Sequence, residues 1–223
     1  MEQPDPTHAL IADLGADDPD VQERAVDDLV AIGSPAVDSL IIAVNDGNAQ
    51  VCTNAIEALG RIGDTRAIGP IIVALQDTDN VVIMAAITAL RRIGDPRAVP
   101  ALMQFLSNDD IYLHFHATHA LTQINHPETI QALLTELGSD DPSVRHGCIV
   151  ALGRLGAREA VEPLLKLVDD SDDRIRYSVA YALGDLATPQ DSAVITALRP
   201  LLEDRDPNVR DATQEALGKL DTP

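Results

Sequence analysis

The sequence lacks tryptophan and is poor in aromatic residues of every kind. Its 223 residues include two Phe and three Tyr, whereas 45% of them are hydrophobic. A folded core must therefore be built mainly from Ala, Leu, Ile and Val. The sequence predicts an aliphatic core in which aromatic side chains play little part.

Basic residues are also scarce. Sixteen Lys and Arg stand against 36 Asp and Glu, which gives a formal net charge of −20. Binding to a phosphate backbone requires clustered cations that displace counterions, so we expect no nucleic-acid partner. Solubility or adaptation to a salty cytoplasm explains the acidity better than an acidic docking surface, which is the alternative.

The chain has two cysteines, Cys52 and Cys148, and they form no CxxC or other zinc-type spacing. Neither a disulfide framework nor a structural metal site is predicted, and a reducing compartment suits such a protein. The N-terminal segment has no basic and apolar leader pattern, and no apolar run approaches the roughly 20 residues that span a bilayer. We therefore expect a cytoplasmic protein without membrane contact.

What is present is an internal repeat of about 31 residues. An aliphatic anchor recurs seven times, at Val21, Val51, Val82, Leu113, Val144, Ile175 and Val209. Leucine stands eight residues after every anchor, at Leu29, Leu59, Leu90, Leu121, Leu152, Leu183 and Leu217. Alanine stands seven residues after six of them, at Ala58, Ala89, Ala120, Ala151, Ala182 and Ala216. This spacing places the apolar positions on one stripe of an α-helix, which we name helix B.

A second apolar helix, helix A, precedes each helix B, as the spacing of Ile68, Ile71, Ile72 and Leu75 shows. The sequence thus predicts an all-α fold, an α-solenoid of seven helix pairs forming a right-handed stack. The pairs are expected near 6–33, 36–63, 66–94, 97–125, 128–156, 159–187 and 191–221. We expect one solenoid domain over residues 1–223 and an elongated monomer.

Residues between the helices have the chemistry of helix caps. Asp precedes most B helices, in turns such as DDPDV and DTDNV, where its carboxylate accepts from free backbone N–H groups. After helix B we expect left-handed C-terminal caps at Gly33, Gly63, Gly94, Asn125 and Gly156. Two polar residues replace apolar ones in the terminal repeats, Asp28 and Thr213, and we interpret both as features of end repeats.

Three segments carry a resemblance to a known family: GDTRAIGPIIVALQDTDNVV (63–82), GDPRAVPALMQFLSNDD (94–110) and DPSVRHGCIVALGRLG (141–156). They resemble the HEAT-like repeat named after phycobilisome lyases. Arrays of this kind serve as bilin lyase subunits, as a di-iron deoxyhypusine hydroxylase and as adaptors, so the resemblance implies the fold more than the function. The arginine that the family places after the anchor is present as Arg145, Arg176 and Arg210, but Gln22, Cys52, Ile83 and His114 replace it earlier.

In HEAT-like arrays helix B lines the concave face, and the second and sixth residues after each anchor point away from the core. Acidic and polar residues take these positions at both ends of the chain, namely Glu23, Asp27, Thr53, Glu57, Asp211 and Glu215. The middle repeats offer apolar, aromatic and imidazole side chains instead: Met84, Thr88, Phe115, His119, His146, Val150, Tyr177 and Tyr181. These eight are the predicted partner-binding residues, although curvature of the stack could instead bury them as packing.

Four histidines, His114, His116, His119 and His146, suggest a metal site, because His116 and His119 lie one helical turn apart and His146 belongs to the next helix B. The hydroxylase family would place a His-Glu pair here, and the sequence contains none. We predict no metal, cofactor-binding or catalytic residues.

No Ser-His-Asp order, P-loop or dinucleotide motif is present either. A non-enzymatic scaffold that binds another protein is the favoured function. A bilin lyase-like subunit is the alternative, since aromatic residues suit a tetrapyrrole although only Arg91 and Arg92 lie near to receive its propionates. A metal-dependent hydroxylase is the least favoured.

Overall fold

The computed structural model describes residues 6–221, and for Pro6 the backbone alone. Within this range the chain forms fourteen α-helices and no strand, which confirms the predicted all-α solenoid fold. The A helices are α1 (Pro6–Asp13), α3 (Val37–Ala43), α5 (Ile68–Ala74), α7 (Val99–Met103), α9 (Pro127–Glu136), α11 (Val161–Leu165) and α13 (Ser192–Leu198). The B helices are α2 (Pro19–Ile32), α4 (Ala49–Ile62), α6 (Asn80–Ile93), α8 (Ile111–Gln123), α10 (Pro142–Leu155), α12 (Asp173–Leu186) and α14 (Pro207–Leu220).

Six short 3₁₀ helices extend the A helices at one end or the other. Four precede an A helix, at Ser34–Ala36, Thr65–Ala67, Pro96–Ala98 and Arg158–Ala160, and two follow one, at Gln104–Ser107 and Arg199–Glu203. Tighter winding of this kind is common at helix ends, and it leaves the A helices shorter than the B helices.

Every B helix begins with a side-chain cap. The capping residues are Asp18, Asn48, Asp79, Asp110, Asp141, Asp172 and Asp206. Each side chain accepts a hydrogen bond of 2.8–2.9 Å from the backbone N–H two residues later. The cap satisfies one of the N–H groups that the first turn leaves without a partner. The predicted capping role of the Asp-rich turns is confirmed.

The predicted C-terminal caps are confirmed at three glycines and wrong at Asn125. Gly63, Gly94 and Gly156 adopt the left-handed conformation, with φ between 65° and 76°. Gly33 also has a positive φ of 71°, but its ψ of −137° lies outside the left-handed helical region. No residue other than glycine has a positive φ between residues 6 and 221, so Asn125 is not left-handed.

The reason lies in the sequence that follows helix α8. His126 precedes Pro127 and is extended, with φ −129° and ψ 145°, because the proline ring disfavours a helical conformation in the residue before it. The chain leaves α8 through Ile124, with φ −81° and ψ 68°, and needs no left-handed residue.

The core is aliphatic, as predicted. Six of the seven repeat leucines are completely buried, and only Leu217 in the last repeat is half-buried. The six repeat alanines are buried as well. Among the five aromatic residues, Phe105 alone is buried.

The two polar residues of the terminal repeats behave differently from each other. Asp28 is exposed, which agrees with its interpretation as an end feature. Thr213 is fully buried, and its hydroxyl donates a 2.7 Å hydrogen bond to the carbonyl oxygen of Val209 one turn earlier. Thr213 therefore occupies a core position of the last repeat, where the backbone satisfies its hydroxyl, and its role as an end feature stays a prediction.

Three pairs of successive B helices, α4–α6, α10–α12 and α12–α14, meet where glycine in one faces alanine in the next. Gly60 faces Ala89, Gly153 faces Ala182, and Gly184 faces Ala216. A Cβ atom built onto Gly184 would lie 2.7 Å from the Cβ atom of Ala216 and 2.8 Å from its Cα atom. The absence of a side chain at these glycines thus permits the close approach of the two backbones.

The chain forms two compact units. Unit 1 comprises Met1–Leu102 and Asp110–Ile124, and unit 2 comprises Met103–Asp109 and Asn125–Pro223. The division passes through the fourth repeat, because the 3₁₀ helix Gln104–Ser107 packs on α10 of unit 2. A single domain over residues 1–223 stays a prediction from the repeat spacing.

Candidate binding face on the B helices

All eight predicted partner-binding residues lie on B helices with exposed or half-buried side chains. Phe115, Tyr177 and Tyr181 are the most exposed, at 53%, 40% and 45%. Met84, Thr88, His119, His146 and Val150 are half-buried. We name the side chains two and six residues after each anchor the B face. Its role in binding stays a prediction.

The structure divides the eight residues equally between the two units. Met84, Thr88, Phe115 and His119 belong to α6 and α8 of unit 1. On α8 the ring of Phe115 stacks on that of His119, with centroids 6.5 Å apart and planes inclined by 18°. The edge of His116 also meets Phe115, at a centroid distance of 5.6 Å. This part of the B face is therefore an aromatic cluster on one helix.

In unit 2, the remaining four residues come together around one cavity. His146 and Val150 of α10 and Tyr177 and Tyr181 of α12 all line an open cavity of about 380 Å³. Buried Ile149 and Ala182 contribute to its apolar floor. This volume suits a large side chain or a small ligand, and pockets with apolar walls and a few polar groups are the usual form of a binding site.

A hydrogen-bonded chain fixes the imidazole at one side of this cavity. Nδ1 of His146 lies 2.7 Å from Oγ of Ser178, and the Ser178 hydroxyl lies 2.8 Å from the carbonyl oxygen of Arg174. A hydroxyl has one proton, and a carbonyl oxygen can only accept, so the Ser178 proton goes to Arg174. Nδ1 of His146 is therefore the donor to Ser178, which sets the tautomer of the neutral ring.

A charged network fixes Tyr181 at the other side. Nζ of Lys219 lies 4.9 Å from the centre of the Tyr181 ring, within the range of a cation–π interaction. The same ammonium lies 2.9 Å from carboxylate oxygens of both Asp185 and Glu215. The hydrogen bond to Asp185, followed by that to Glu215, raises the pKa of Lys219, so the cation persists over Tyr181.

Sequence reasoning missed the two charged residues that line the cavity, Arg154 and Asp185. Both stand ten residues after their anchors, one helical turn beyond the sixth residue and on the same side of the helix. Extending the helical wheel by one turn would have found them. Arg154 is exposed, and its guanidinium makes no ion pair or hydrogen bond within residues 6–221. The cations that the sequence suggested, Arg91 and Arg92, lie in unit 1 instead.

Arginines after the anchor position the starts of the B helices in unit 2. Arg176 makes two hydrogen bonds to the carboxylate of Asp204, at 2.7 and 2.9 Å, and both side chains are buried. Arg145 pairs with Asp170 at 3.2 Å. Each of these arginines also donates to the carbonyl oxygen six residues earlier, as does Arg210. The arginine pattern found in the sequence therefore corresponds to a ladder across successive turns.

In unit 1, one of the residues that stand in place of the arginine keeps part of this arrangement. Nε2 of Gln22 donates to the carbonyl oxygen of Ala16 at 2.6 Å, which is the same six-residue offset. Gln22 thus preserves the backbone hydrogen bond but adds no charge to the turn.

Neither cysteine has the environment of a reactive thiol. Cys52 is buried, and its thiol lies 3.0 Å from the carbonyl oxygen of Val44. Burial raises the pKa of the Cys148 thiol to about 12, so the thiolate is scarce at neutral pH. No group of three His, Cys, Asp or Glu side chains in the described part of the chain is arranged to hold a metal ion. Among the same residues, no helix has the length and apolar character needed to traverse a bilayer.

Comparison with known proteins identifies the repeat. The HEAT repeats family matches four overlapping segments, residues 7–72, 38–113, 69–141 and 100–184. These segments together extend over most of the sequence. The chain belongs to the HEAT repeats family. The PBS lyase HEAT-like repeat also matches this HEAT-repeat protein at residues 175–204, a segment that includes Tyr177 and Tyr181.

Solved structures share the fold of this HEAT-repeat protein at low sequence identity. Importin beta superposes with a TM-score of 0.67 and 16% identity, over 96% of this chain and 35% of that one. The HEAT-repeat protein thus spans about a third of importin beta. An archaeal HEAT-like repeats protein from Thermococcus onnurineus NA1 gives a TM-score of 0.63 at 13% identity, over 98% of both chains. The complex of CpcE and CpcF of phycocyanin lyase from Nostoc sp. PCC7120 gives a TM-score of 0.49 at 22% identity, over 98% of this chain and 97% of that one. No curated protein sequence matches significantly.

Proposed function

We propose that this HEAT-repeat protein is a non-enzymatic scaffold that binds a partner protein on the B face. One observation carries the proposal: four B-face residues predicted from sequence line the same cavity in unit 2, two of them half-exposed tyrosines above an apolar floor. Tyrosines beside a partly desolvated hollow are typical anchors of protein interfaces.

Contacts that hold the B-face side chains in place favour recognition of the partner by a preformed surface. Ser178 fixes His146, Lys219 covers Tyr181, and close Gly153–Ala182 packing holds α10 against α12. Side chains that are already ordered lose little entropy when a partner binds, and this raises affinity. We therefore propose a binding surface that changes little between the free and bound states.

The proposal also covers the type of partner, the compartment and the side of the solenoid that binds. The net charge of −20 opposes nucleic acid as the partner. Two buried cysteines without a disulfide suit the cytoplasm. We propose a monomer there whose concave side is formed by the B helices, since these pack directly on one another within each unit.

A pull-down from the source cell tests the proposal. Wild-type protein, a Tyr177→Ala/Tyr181→Ala double variant and Tyr112→Ala serve as baits, and the captured proteins are quantified. Tyr112 is 70% exposed at the start of α8, so its loss makes the same chemical change away from the cavity. A partner retained by the wild type and by Tyr112→Ala, but lost by the double variant, supports the proposal.

Affinity measurements with that partner complete the test. Removal of Tyr177 or Tyr181 should each weaken binding by about 1–3 kcal/mol, with an unchanged melting temperature. Equal losses from Tyr112→Ala and from the cavity variants would show that the B face is not the binding surface.

A bilin lyase-like subunit is the second candidate, and two observations favour it. The PBS lyase HEAT-like repeat matches the segment that contains Tyr177 and Tyr181. Arg154, which could pair with a propionate, lines the same cavity and has no ion-pair partner within residues 6–221. Incubation with a bilin tests this function: a shifted visible absorbance band that Arg154→Gln and Tyr181→Ala both abolish would replace the scaffold proposal.

A further inference from the structure

The last three B helices present an ordered array of outward side chains. Each helix contributes the second, sixth and tenth residue after its anchor. We name these nine residues the C-terminal array: His146, Val150 and Arg154 on α10, Tyr177, Tyr181 and Asp185 on α12, and Asp211, Glu215 and Lys219 on α14. The array belongs wholly to unit 2.

The α14 side of this array is acidic. Lys219 is its one cation, and both Asp185 and Glu215 pair with it at 2.9 Å. Asp211 is exposed and forms no ion pair within the described residues. Lys219 thus pairs with one carboxylate of α12 and one of α14 while Asp211 carries a further negative charge, so a net negative charge remains at this edge.

The α10 side has the opposite character. Its three array residues include no acid, and Arg154 has no ion-pair partner within residues 6–221. Arg91 and Arg199 are other arginines for which no ion pair is found in the described part of the chain, but Arg154 is the one that lines the cavity beside Tyr177 and Tyr181. A guanidinium left unpaired beside an apolar cavity is placed to receive a carboxylate from another molecule.

The spacing of the helices limits the size of the ligand. Neighbouring packed helices lie about 8–10 Å apart, so α10 and α14 are separated by roughly 20 Å. An extended chain advances about 3.3 Å per residue, so roughly six residues span this distance. The two tyrosines and the cavity lie between the basic and acidic sides.

We propose that the C-terminal array binds an extended segment of the partner protein that carries an acidic side chain, a central apolar side chain and a basic side chain in that order across the helices. The acidic group pairs with Arg154, the apolar group enters the cavity beside Tyr177 and Tyr181, and the basic group meets Asp211. This inference rests on the proposed scaffold function and specifies the chemistry of its partner.

Four acetylated and amidated hexapeptides test the inference. The first has Glu at its first position, Lys at its last, Phe at its two central positions and Ala at the second and fifth positions. The second and third have two Glu or two Lys ends, and the fourth replaces Phe with Ala. Binding of each peptide to the full-length protein is followed by NMR titration, and the mixed-charge peptide with Phe should bind tightest.

Charge variants identify the contacts. Arg154→Gln should weaken both Glu-bearing Phe peptides by about twofold to fivefold, the range of an exposed ion pair, and should not weaken the Lys–Lys peptide. Asp211→Asn should weaken the Lys-bearing peptides and spare the Glu–Glu peptide. Arg199→Gln is the matched control, because Arg199 is exposed outside the array and its loss changes the net charge equally.

The outcomes separate the inference from the function on which it rests. Tightest binding by the Lys–Lys peptide, equal effects of Arg154→Gln and Arg199→Gln, or no binding by any peptide at about 1 mM would each overturn the inference. A captured partner that still depends on Tyr177 and Tyr181 would preserve the scaffold function in those cases. If capture of the partner does not depend on Tyr177 and Tyr181, both the inference and the scaffold function are overturned.

Discussion

The glycine nine residues after the anchor determines how closely two B helices approach. Gly60, Gly153 and Gly184 occupy this position, and each faces an alanine of the next B helix. Other repeats carry Val30, Arg91 or Thr122 there, and α2–α4 and α6–α8 pack over fewer residues than the pairs with glycine. The absence of a side chain at this position thus permits the more extensive packing of these B helices.

Gly184→Ala should destabilise the protein. The added methyl group would lie 2.7–2.8 Å from Ala216 atoms, including its backbone Cα, so the helices must separate. Overpacking of this kind costs about 1–3 kcal/mol. Urea unfolding followed by circular dichroism measures the loss.

Gly218→Ala is the matched control for that substitution. Gly218 occupies the same repeat position in α14, where an added Cβ meets no atom within 4 Å. Alanine favours the helix over glycine by about 1 kcal/mol, so this variant should be more stable than the wild type. If both substitutions stabilise the protein, helix propensity rather than interhelical contact decides the effect.

The repeat leucines give a second residue-scale prediction. Leu121 is completely buried, and Leu121→Ala should cost about 2–5 kcal/mol through lost burial and a residual cavity. Leu217 is half-buried at the equivalent position, so Leu217→Ala should cost clearly less. Thermal melts of the two variants make the comparison, and an unchanged melting curve for Leu121→Ala would contradict the assignment of this leucine to the core.

For individual residues, the sequence predicted which apolar side chains are buried, but it did not predict which charged side chains form ion pairs. Period-3.6 spacing identified the buried leucines and alanines, because each helix has one side against its neighbours. It could not show that Arg154 lacks a partner while Lys219 has two, since ion pairs across helices depend on three-dimensional distances. Thr213 shows another limit, because its backbone hydrogen bond lets a hydroxyl occupy a buried position.

Among the elements, the turns before the B helices contribute charge-dependent stability. The hydrogen bonds from Arg176 lower the pKa of Asp204 to about 2, from an ordinary value near 3.8. A carboxyl with a lowered folded-state pKa stabilises the fold fully above its unfolded pKa, and this contribution is lost as the pH falls through the folded value. The ladder should therefore weaken between about pH 4 and pH 2.

Asp204→Asn tests this prediction. The variant should be less stable than the wild type at pH 6, because Arg176 would be left buried without its carboxylate. The difference in the free energy of unfolding should shrink as the pH falls toward 2. Urea titrations at several pH values measure it, and a pH-independent difference would show that Asp204 contributes no titrating stability.

The helices themselves were predictable from sequence, whereas some of their ends were not. Asp-rich turns located the starts of the B helices because a carboxylate cap is a local interaction. The end of α8 was predicted incorrectly. Asn125 stands where other repeats have their glycine caps, but Pro127 holds the residue before it, His126, in an extended conformation. Ends governed by competing local signals require the structure.

On the scale of the whole molecule, contacts between helices that are neighbours in sequence imply that a destabilising substitution affects mainly the helices near it. In unit 1, α2, α4 and α6 pack on their own A helices and on neighbouring B helices, and in unit 2 α10, α12 and α14 do the same. In such arrays stability is a sum of repeat and nearest-neighbour terms. Among the described residues of each unit, no helix contacts all of the others.

Hydrogen exchange followed by mass spectrometry tests that locality. Leu59→Ala in α4 should increase amide exchange in helices α2 to α6 of unit 1 and leave α12 and α14 of unit 2 unchanged, because opening is confined to cooperative segments. Leu183→Ala in α12 should give the reverse pattern. Uniform acceleration of exchange along the chain by either variant would demonstrate a single cooperative unit.

The number of repeats followed from the sequence, but the division into two units did not. The spacing of anchors is constant at 31 residues from Val51 to Ile175 and gives no sign of a boundary in the fourth repeat. Packing between whole helices determines where compact units separate, and spacing along the chain does not record it.

The contact between glycine and alanine also constrains how such a chain can evolve by duplication. Repeats two to seven each carry alanine at the sequence position that meets this glycine, so at this one contact a copy of any of them should fit against Gly184. The first repeat has Asp28 at the same position. Inserted there, its carboxylate would be forced against the glycine backbone without a partner, at a high desolvation cost. The alanine of the last six repeats therefore permits such a duplication at the glycine contact, whereas Asp28 of the first repeat prevents it.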